Sequence, residues 1–337
     1  VDYLREYNYE IFLLRISIMV NVIKIGTDCS GIEAPIQALQ QIRVKFDHEW
    51  SCDNDIEVLK SIKANYKPKI IYENILERDH SILPDIDLYV CGFPCQPFSL
   101  AGLKLGDQDS RSNIMGHCIE VINLKKPKVF ILENVKNFKY MQGGKMFEHL
   151  IDSLKNIKLK NKPLYNIHFE VLNTKDYGIP QNRERIFFIG IRKDSKIKEY
   201  KTPRKIKAKN LDEFITDKKI YNITCNKAGK KIIDKFNLSQ TDNNIVACSG
   251  FGNYMKDMSP TLTCSTVYYS TKYKRYLSSD DYLMLQGFKK FKKVVSETTL
   301  KKQAGNSMSV CVLKAIFKEI FSDISDTSRL SKLNKIS

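Results

Sequence analysis

Residues 87–102 read DLYVCGFPCQPFSLAG, and Cys95 within them is the side chain best placed to do chemistry. The apolar run Leu88, Tyr89, Val90, Cys91 stops at Gly92, and Pro94 and Pro97 then bracket Cys95 and Gln96. This pattern predicts a short buried strand that breaks into a loop at its carboxyl end. Open α/β sheets place ligands and reacting groups at that end of their strands. Cys95 is therefore a candidate nucleophile on a loop whose backbone two prolines restrict. A buried structural cysteine is the other reading open at this point.

Other groups could act beside it. The run 129–132 (VFIL) predicts a buried strand ending at Glu133-Asn134-Val135, which sets a carboxylate in the catalytic position of such a sheet. Taken alone, Glu133 also reads as a solvated turn residue. Arg183 and Arg185 alternate with Glu184, so both project from one face of an extended segment. Two such guanidiniums suit phosphate or carbonyl recognition, or else form a surface charge cluster. Asp53 follows the first predicted strand at the distance where a carboxylate accepts the two hydroxyls of a ribose, with Glu49 as the fallback. Asn74 ends a third strand, where its amide reads an adenine edge or simply forms a turn.

The elements that must hold these groups alternate between strand and helix. Residues 20–26, 46–50, 70–75, 88–91, 129–132, 167–172 and 186–190 read as strands, and 56–66 and 114–124 as helices. The small-residue turn from Thr27 to Pro35 makes the first strand, turn and helix the opening unit of a nucleotide-binding α/β domain. From Ile191 the chain turns Lys-rich and loses apolar periodicity, which sets a domain boundary there. The segment to Lys274 reads as a small, irregular, basic domain with exposed aromatics, suited to reading a DNA groove. Ser278 and Ser279 cap a helix, Gln303 to Met308 reads as a Gly-Asn turn, and 310–321 as an apolar helix. Residues 1–18 read as an upstream extension before a natural start at Met19, and 326–337 as a polar tail.

The chain of 337 residues suits one large domain with a smaller one attached. Its 55 Lys and Arg against 38 Asp and Glu give a net charge of +17, which favours a polyanionic partner, although an AT-rich coding sequence also inflates Lys. Nine cysteines without C-x-x-C spacing argue against a disulfide framework or a structural zinc site, and no metal is expected. A reducing compartment is the simpler reading. The apolar patch 11–14 is cut by Arg15 and is too short for a membrane span.

The motif Gly92-Phe93-Pro94-Cys95-Gln96-Pro97-Phe98-Ser99 closely resembles the catalytic loop of the cytosine-5 DNA methyltransferases. Four more motifs match that family in order: Glu133-Asn134-Val135, Gln181-Asn182-Arg183-Glu184-Arg185, Leu285-Gln286-Gly287-Phe288 and Gln303-Ala304-Gly305-Asn306-Ser307. The resemblance runs from about residue 23 to residue 316. It implies an α/β fold: a Rossmann-like S-adenosylmethionine-dependent methyltransferase domain over 19–190, with a small, mostly β target-recognition domain over 191–274. Residues 275–325 then return to the catalytic domain. The implied activity is methyl transfer from S-adenosyl-L-methionine to carbon 5 of a flipped cytosine in double-stranded DNA, with S-adenosyl-L-homocysteine as product. The resemblance also implies a monomer, no membrane, and a restriction endonuclease as a partner where one exists. A cytoplasmic or nucleoid-associated location follows, or a host compartment for a viral chain.

Residue by residue, it makes Cys95, Glu133, Arg183 and Arg185 catalytic. The Cys95 thiolate would add to carbon 6, Glu133 would hold ring nitrogen 3, and the arginines would position base and backbone. Unstacking the target base costs about a few kcal/mol. Cofactor contacts fall to Cys29, Gly31, Ile32, Asp53, Asn54, Asn74, Ile75, Pro94, Ile114, Asn306 and Met308, and DNA contacts to Gln96, Ser99, Arg111 and Gln181. The chain departs from the family where Phe-x-Gly-x-Gly-Gly is expected: it has Cys29-Ser30-Gly31-Ile32-Glu33-Ala34. The usual Trp is Asn54, and the usual acidic residue is Asn74. These changes bear on cofactor affinity. The alternatives are a tRNA cytosine-5 methyltransferase, whose Cys-Phe-Thr triplet is absent here, and a catalytically silent DNA-binding homologue.

Overall fold

Apolar side chains alternate strictly along the central strands, and that alternation builds two cores, one on each face of a sheet. The computed structural model describes residues 22–94, 114–250 and 252–321. Cys95, Gln96, Ser99 and Arg111, the stretch 1–18 with Met19, and the tail 326–337 lie outside the described residues. In chain order the first elements are β1 (Ile23–Asp28), α1 (Ala34–Ile42), β2 (Phe46–Cys52), α2 (Ile56–Asn65), β3 (Ile70–Tyr72) and β4 (Leu88–Cys91). Then come α3 (Ile114–Lys125), β5 (Val129–Val135), α4 (Lys145–Lys155), the short pair β6 (Lys158–Leu159) and β7 (Lys162–Pro163), β8 (Tyr165–Asn173) and β9 (Glu184–Arg192).

Seven strands form one sheet in the order β3-β2-β1-β4-β5-β9-β8. The first five are parallel, and β9 alone runs antiparallel to its neighbours. Leu88 and Val90 of β4, Val129 and Ile131 of β5, and Phe187 and Ile189 of β9 point into one core. Tyr89, Cys91, Phe130, Leu132, Ile186 and Phe188 point into the other. Each large apolar side chain so buried contributes about 1.5–3 kcal/mol. The two faces are covered by helices, as a parallel sheet requires.

The strand ends differ from the sequence reading at a useful place. β5 does not stop at Leu132; it continues to Val135 because β9 pairs with it as far as Val135↔Arg185. β4 stops opposite Leu132, at Cys91. Glu133 is therefore held in a strand on one side and has an open edge on the other.

A second, antiparallel sheet has the order β11-β10-β12-β13, from β10 (Asn244–Ala247), β11 (Tyr254–Lys256), β12 (Tyr268–Ser270) and β13 (Arg275–Tyr276). Helix α5 (Lys227–Lys235) packs on β10 around a small core of Cys225, Ile232, Val246, Cys248 and Tyr269. The chain just after Ile191 is not separate from the main body. Tyr200, Leu211, Phe214 and Ile215 join the large core, and the Tyr200 hydroxyl donates to Glu170 of β8.

The chain closes with α6 (Ser279–Gln286), α7 (Glu297–Asn306) and α8 (Val310–Ile320). Ser278 caps α6 in a reciprocal box with Asp281, which Arg275 also pairs at 2.7 Å. Helix α8 packs against α1, returning the C-terminal part to the first βα unit. The expected Gly-Asn turn at Gln303 to Met308 is instead the last turn of α7, and the chain breaks at Ser307. Gly305 is required there by proximity: a Cβ would sit 2.5 Å from the Thr263 carbonyl carbon and 2.8 Å from the Cys264 nitrogen.

Gly305→Ala should accordingly destabilise the protein by about 1–3 kcal/mol through overpacking, despite alanine's better helix propensity. A urea midpoint equal to wild type would show that the helix and the Thr263 backbone do not meet this closely.

Candidate active site

Strand order reverses between β1 and β4, and a cavity of about 680 Å³ opens at their carboxyl ends. That is the ligand position of an open α/β sheet, and the volume lies in the usual ligand-pocket range. Cys29, Gly31, Asp53, Asn54, Asn74, Ile75, Pro94, Ile114 and Asn306 line it, together with Glu133, Arg183 and Arg185. Twelve residues scattered over most of the chain thus meet in one cavity.

Asp53 stands just past β2 and accepts the Gly31 backbone N–H at 2.8 Å and the Asp55 N–H at 3.1 Å. It locks the β1 turn to the end of β2, and each oxygen keeps a lone pair for a further donor. Glu49 is not the carboxylate of this cavity: it is buried and paired with Lys69 at 2.7 Å. Asn74 lines the cavity as a turn former, its Oδ1 accepting Leu76 N–H and its Nδ2 donating to Glu77.

The β1 turn runs through left-handed backbone at Cys29, Gly31 and Glu33. Glu33, where the resembling motif has glycine, is fully buried and its Oε1 accepts from Thr27 at 2.7 Å and Ser51 at 2.6 Å. Its Oε2 has no hydrogen-bond partner. Burial pushes this carboxyl up to about 7, and burial pushes neighbouring His48, 3.7 Å away, down to about 4. The turn thus exchanges glycine's freedom for a buried polar anchor.

At the other end, Arg185 Nε lies 3.3 Å from Glu133 Oε1, a diagonal pair across β5 and β9. Burial raises the Glu133 carboxyl above its ordinary range, while Arg185 and Arg183 pull it back. Arg183 is buried, donating to the carbonyls of Leu262 at 2.7 Å and Ser307 at 2.8 Å. Burial and Arg185 push it down to about 9, so it stays cationic at neutral pH. It therefore ties the start of β9, the backbone at Leu262 and the break after α7 together.

Three expected site residues do not reach the cavity. Ile32 is fully buried in the core beneath α1. Met308 lies under Gly92, where a Cβ would come within 2.8 Å of its methyl. Gln181 has no exposed surface and donates to the Leu285 carbonyl at 2.8 Å while accepting from Leu262 N–H at 3.2 Å. It is a buried tie, not a surface contact to DNA.

Other residues escaped the sequence reading. Val58, Thr263, Lys302 and Gln303 line the cavity, and the Gln303 amide nitrogen is buried without a partner. Asn134 donates to the Phe93 carbonyl at 3.0 Å, holding the backbone two residues before Cys95 in the sequence. Its place inside the Glu133-Asn134-Val135 motif was the available signal.

The sheet order and the cavity at its switch point are those of a Rossmann-like α/β domain. A triple mutant of Spodoptera frugiperda DNMT2 superposes with a TM-score of 0.67 at 17% identity, covering 89% of this chain and 99% of that one. The Entamoeba histolytica methyltransferase EhMeth gives 0.65 at 18%, covering 90% and 99%. At such identities these likenesses speak for fold alone. The model of the C-5 cytosine-specific DNA methylase family matches residues 25–322, and the chain belongs to that family. Type II methyltransferase M1.ScrFI of Lactococcus lactis subsp. cremoris is 32% identical over 290 residues, covering 80% of this chain and 71% of its own. Type II methyltransferase M.NlaX of Neisseria lactamica is 29% identical over 327 residues, covering 92% and 99%. The chain is thus a DNA (cytosine-5-)-methyltransferase.

Two expectations follow. Between about pH 4.5 and 7 the folded protein keeps a proton on Glu33 that the unfolded chain releases, so this group makes stability fall as pH rises. Between about pH 4 and 6.5 the unfolded chain binds a proton on His48 that the folded protein refuses, so this group makes stability rise. Glu33→Gln removes the first slope: its unfolding free energy should climb with pH relative to wild type, by up to about 1.4 kcal/mol per unit near pH 5–6. Parallel wild-type and variant profiles would rule this out. Asn134→Ala should leave folding largely intact but slow methyl transfer on the order of 10–100-fold by loosening the loop after Phe93. Single-turnover rates would check it.

Proposed function

We propose that this chain methylates carbon 5 of cytosine in double-stranded DNA through a transient covalent bond from Cys95. The observation that carries the reading is the pairing of Glu133 with Arg185 at the cavity end nearest Gly92, where the Cys95 loop departs. S-adenosyl-L-methionine, when bound, supplies a methyl group activated on a sulfonium.

The cavity suits that cofactor. Asp53 offers carboxylate lone pairs to a ribose diol, Val58, Ile75 and Ile114 offer apolar surface, and the unpartnered Gln303 amide offers a donor. Asn306 and Pro94 line the same space. Cys29 and Asn54, in place of aromatic residues, leave the adenine to these aliphatic side chains.

In the reaction, Cys95 adds to carbon 6 and gives carbon 5 nucleophilic character. Glu133, with its carboxyl raised by burial, holds the proton at ring nitrogen 3 and so stabilises the enamine. Arg185 keeps Glu133 in place and carries positive charge at the base. Arg183 acts from behind, fixing the recognition segment and the α7 break on β9. Loss of the carbon 5 proton then expels Cys95. Gln96, Ser99 and Arg111 follow Cys95 in the sequence and are proposed to meet the DNA.

The net charge of +17 supports a polyanionic substrate, and the Type II relatives support pairing with an endonuclease of the same specificity. Among the described residues no helix is long and apolar enough to cross a membrane. A monomer working in the cytoplasm or on the nucleoid fits these features.

Tritiated methyl transfer to unmethylated duplex DNA, tRNA and a control without nucleic acid tests the reading. Wild type should label DNA, Cys95→Ala should abolish transfer, and Glu133→Gln should slow it by about 10²–10⁴-fold. Labelling of tRNA alone, or equal labelling by the Cys95 variant, would overturn it.

A further inference from the structure

On the face of the sheet that carries α3, three potential metal ligands converge outside the methyl-transfer cavity. His80 lies in the connection between β3 and β4, and His117 and Glu120 lie three residues apart on one face of α3. His80 Nε2 is 2.8 Å from His117 Nδ1, Glu120 Oε2 is 3.8 Å from the former, and it is 3.7 Å from the latter. A triangle with these sides has its corners about 2.0 Å from its centre, which is the length of Zn–N and Zn–O bonds.

We propose that His80, His117 and Glu120 form a divalent-cation site of zinc type. Two imidazoles and a carboxylate are a ligand set that zinc takes with a fourth position left to water. The imidazoles are largely buried, whereas the Glu120 side chain is half exposed, which gives the ion an entry path.

The ion-free arrangement is chemically consistent with this role. Arg78 Nε donates to His80 Nδ1 at 3.3 Å, which places the His80 proton on Nε2, facing the His117 Nδ1 lone pair. The cation replaces that proton, which shifts to His80 Nδ1 with no net release. The long Arg78 contact is given up in exchange. Arg78 remains anchored through both terminal nitrogens to Asp28, at 2.8 and 2.7 Å.

The position gives the ion a task. The His80 connection also carries Asn74 and Ile75 of the cavity wall, and His117 follows cavity-lining Ile114 by one helical turn. A cation there clamps the connection after β3 to the first turns of α3.

The test is titration of chelator-treated full-length protein with Zn²⁺ and Co²⁺, followed by calorimetry, thermal unfolding and Co²⁺ absorption. Wild type should bind one equivalent, unfold at higher temperature when loaded, and show Co²⁺ d–d bands without a thiolate charge-transfer band. His117→Ala and Glu120→Ala should each weaken binding at least tenfold. If His117→Ala does not fold, the half-exposed Glu120 variant decides. Absence of stoichiometric binding, equal affinity in Glu120→Ala, or a thiolate band marking cysteine ligation would overturn the proposal.

Discussion

A buried ion pair at the end of β1 is the constraint around which this protein is arranged. The Asp28 carboxylate has no exposed surface, and it accepts two bonds from Arg78, one from Trp50 Nε1 at 3.0 Å and one from the Tyr89 hydroxyl at 2.7 Å. The Arg78 guanidinium also lies over the Tyr72 ring, 4.8 Å from its centroid. Four strands and the connection after β3 are thereby fixed at the switch point of the sheet. Such a pair is weak evidence for net stability, yet losing either partner leaves a buried charge and costs about 3–5 kcal/mol. Its value is positional. It holds the carboxyl ends of β1, β2 and β4 at one level, and the cavity is the space those ends enclose.

The rest of the site is built as successive ties from that edge. Asp53 binds the β1 turn, Glu33 binds the same turn from below, and Asn134 binds the start of the Cys95 loop. Arg183 binds the Leu262 carbonyl and the break after α7. Most of these groups are buried and hydrogen-bonded, so the cavity walls are set before any ligand arrives. This is the preorganisation that a reaction with little tolerance for misplacement requires. Glu33 shows how one family feature can be replaced. A side chain in left-handed backbone costs on the order of 1–2 kcal/mol, and the bonds from Thr27 and Ser51 offset it.

The segment 191–274 is bound to the main body more intimately than its composition suggests. Its Lys-rich, weakly periodic sequence reads as a separate module, yet Tyr200, Leu211 and Phe214 fill the large core. The Gly305 helix approaches the Thr263 backbone closely enough to exclude a methyl group. Glu133 and the segment 191–274 thus share one packed frame.

The sequence by itself determined the class of fold and the family. Period-two apolar runs, a Pro-Cys-Gln loop and ordered short motifs depend on local spacing, which a linear chain displays directly. The same reading placed Asp53 just past the second strand, and the structure lines one cavity with Asp53, Glu133 and Arg185. What it missed depends on contacts distant in the chain. Gln181 sits within a matching motif, Met308 directly after one and Ile32 in the departing turn, but only packing decides that they face inward. The helix ending at Asn306 looked like a turn because Gly305 is there for close approach, not for a bend. The length of β5 depended on its antiparallel partner, and the buried Asp28–Arg78 pair joins residues separated by fifty positions. The tertiary structure decided these because burial and pairing are properties of where the chain returns, and no local pattern records that.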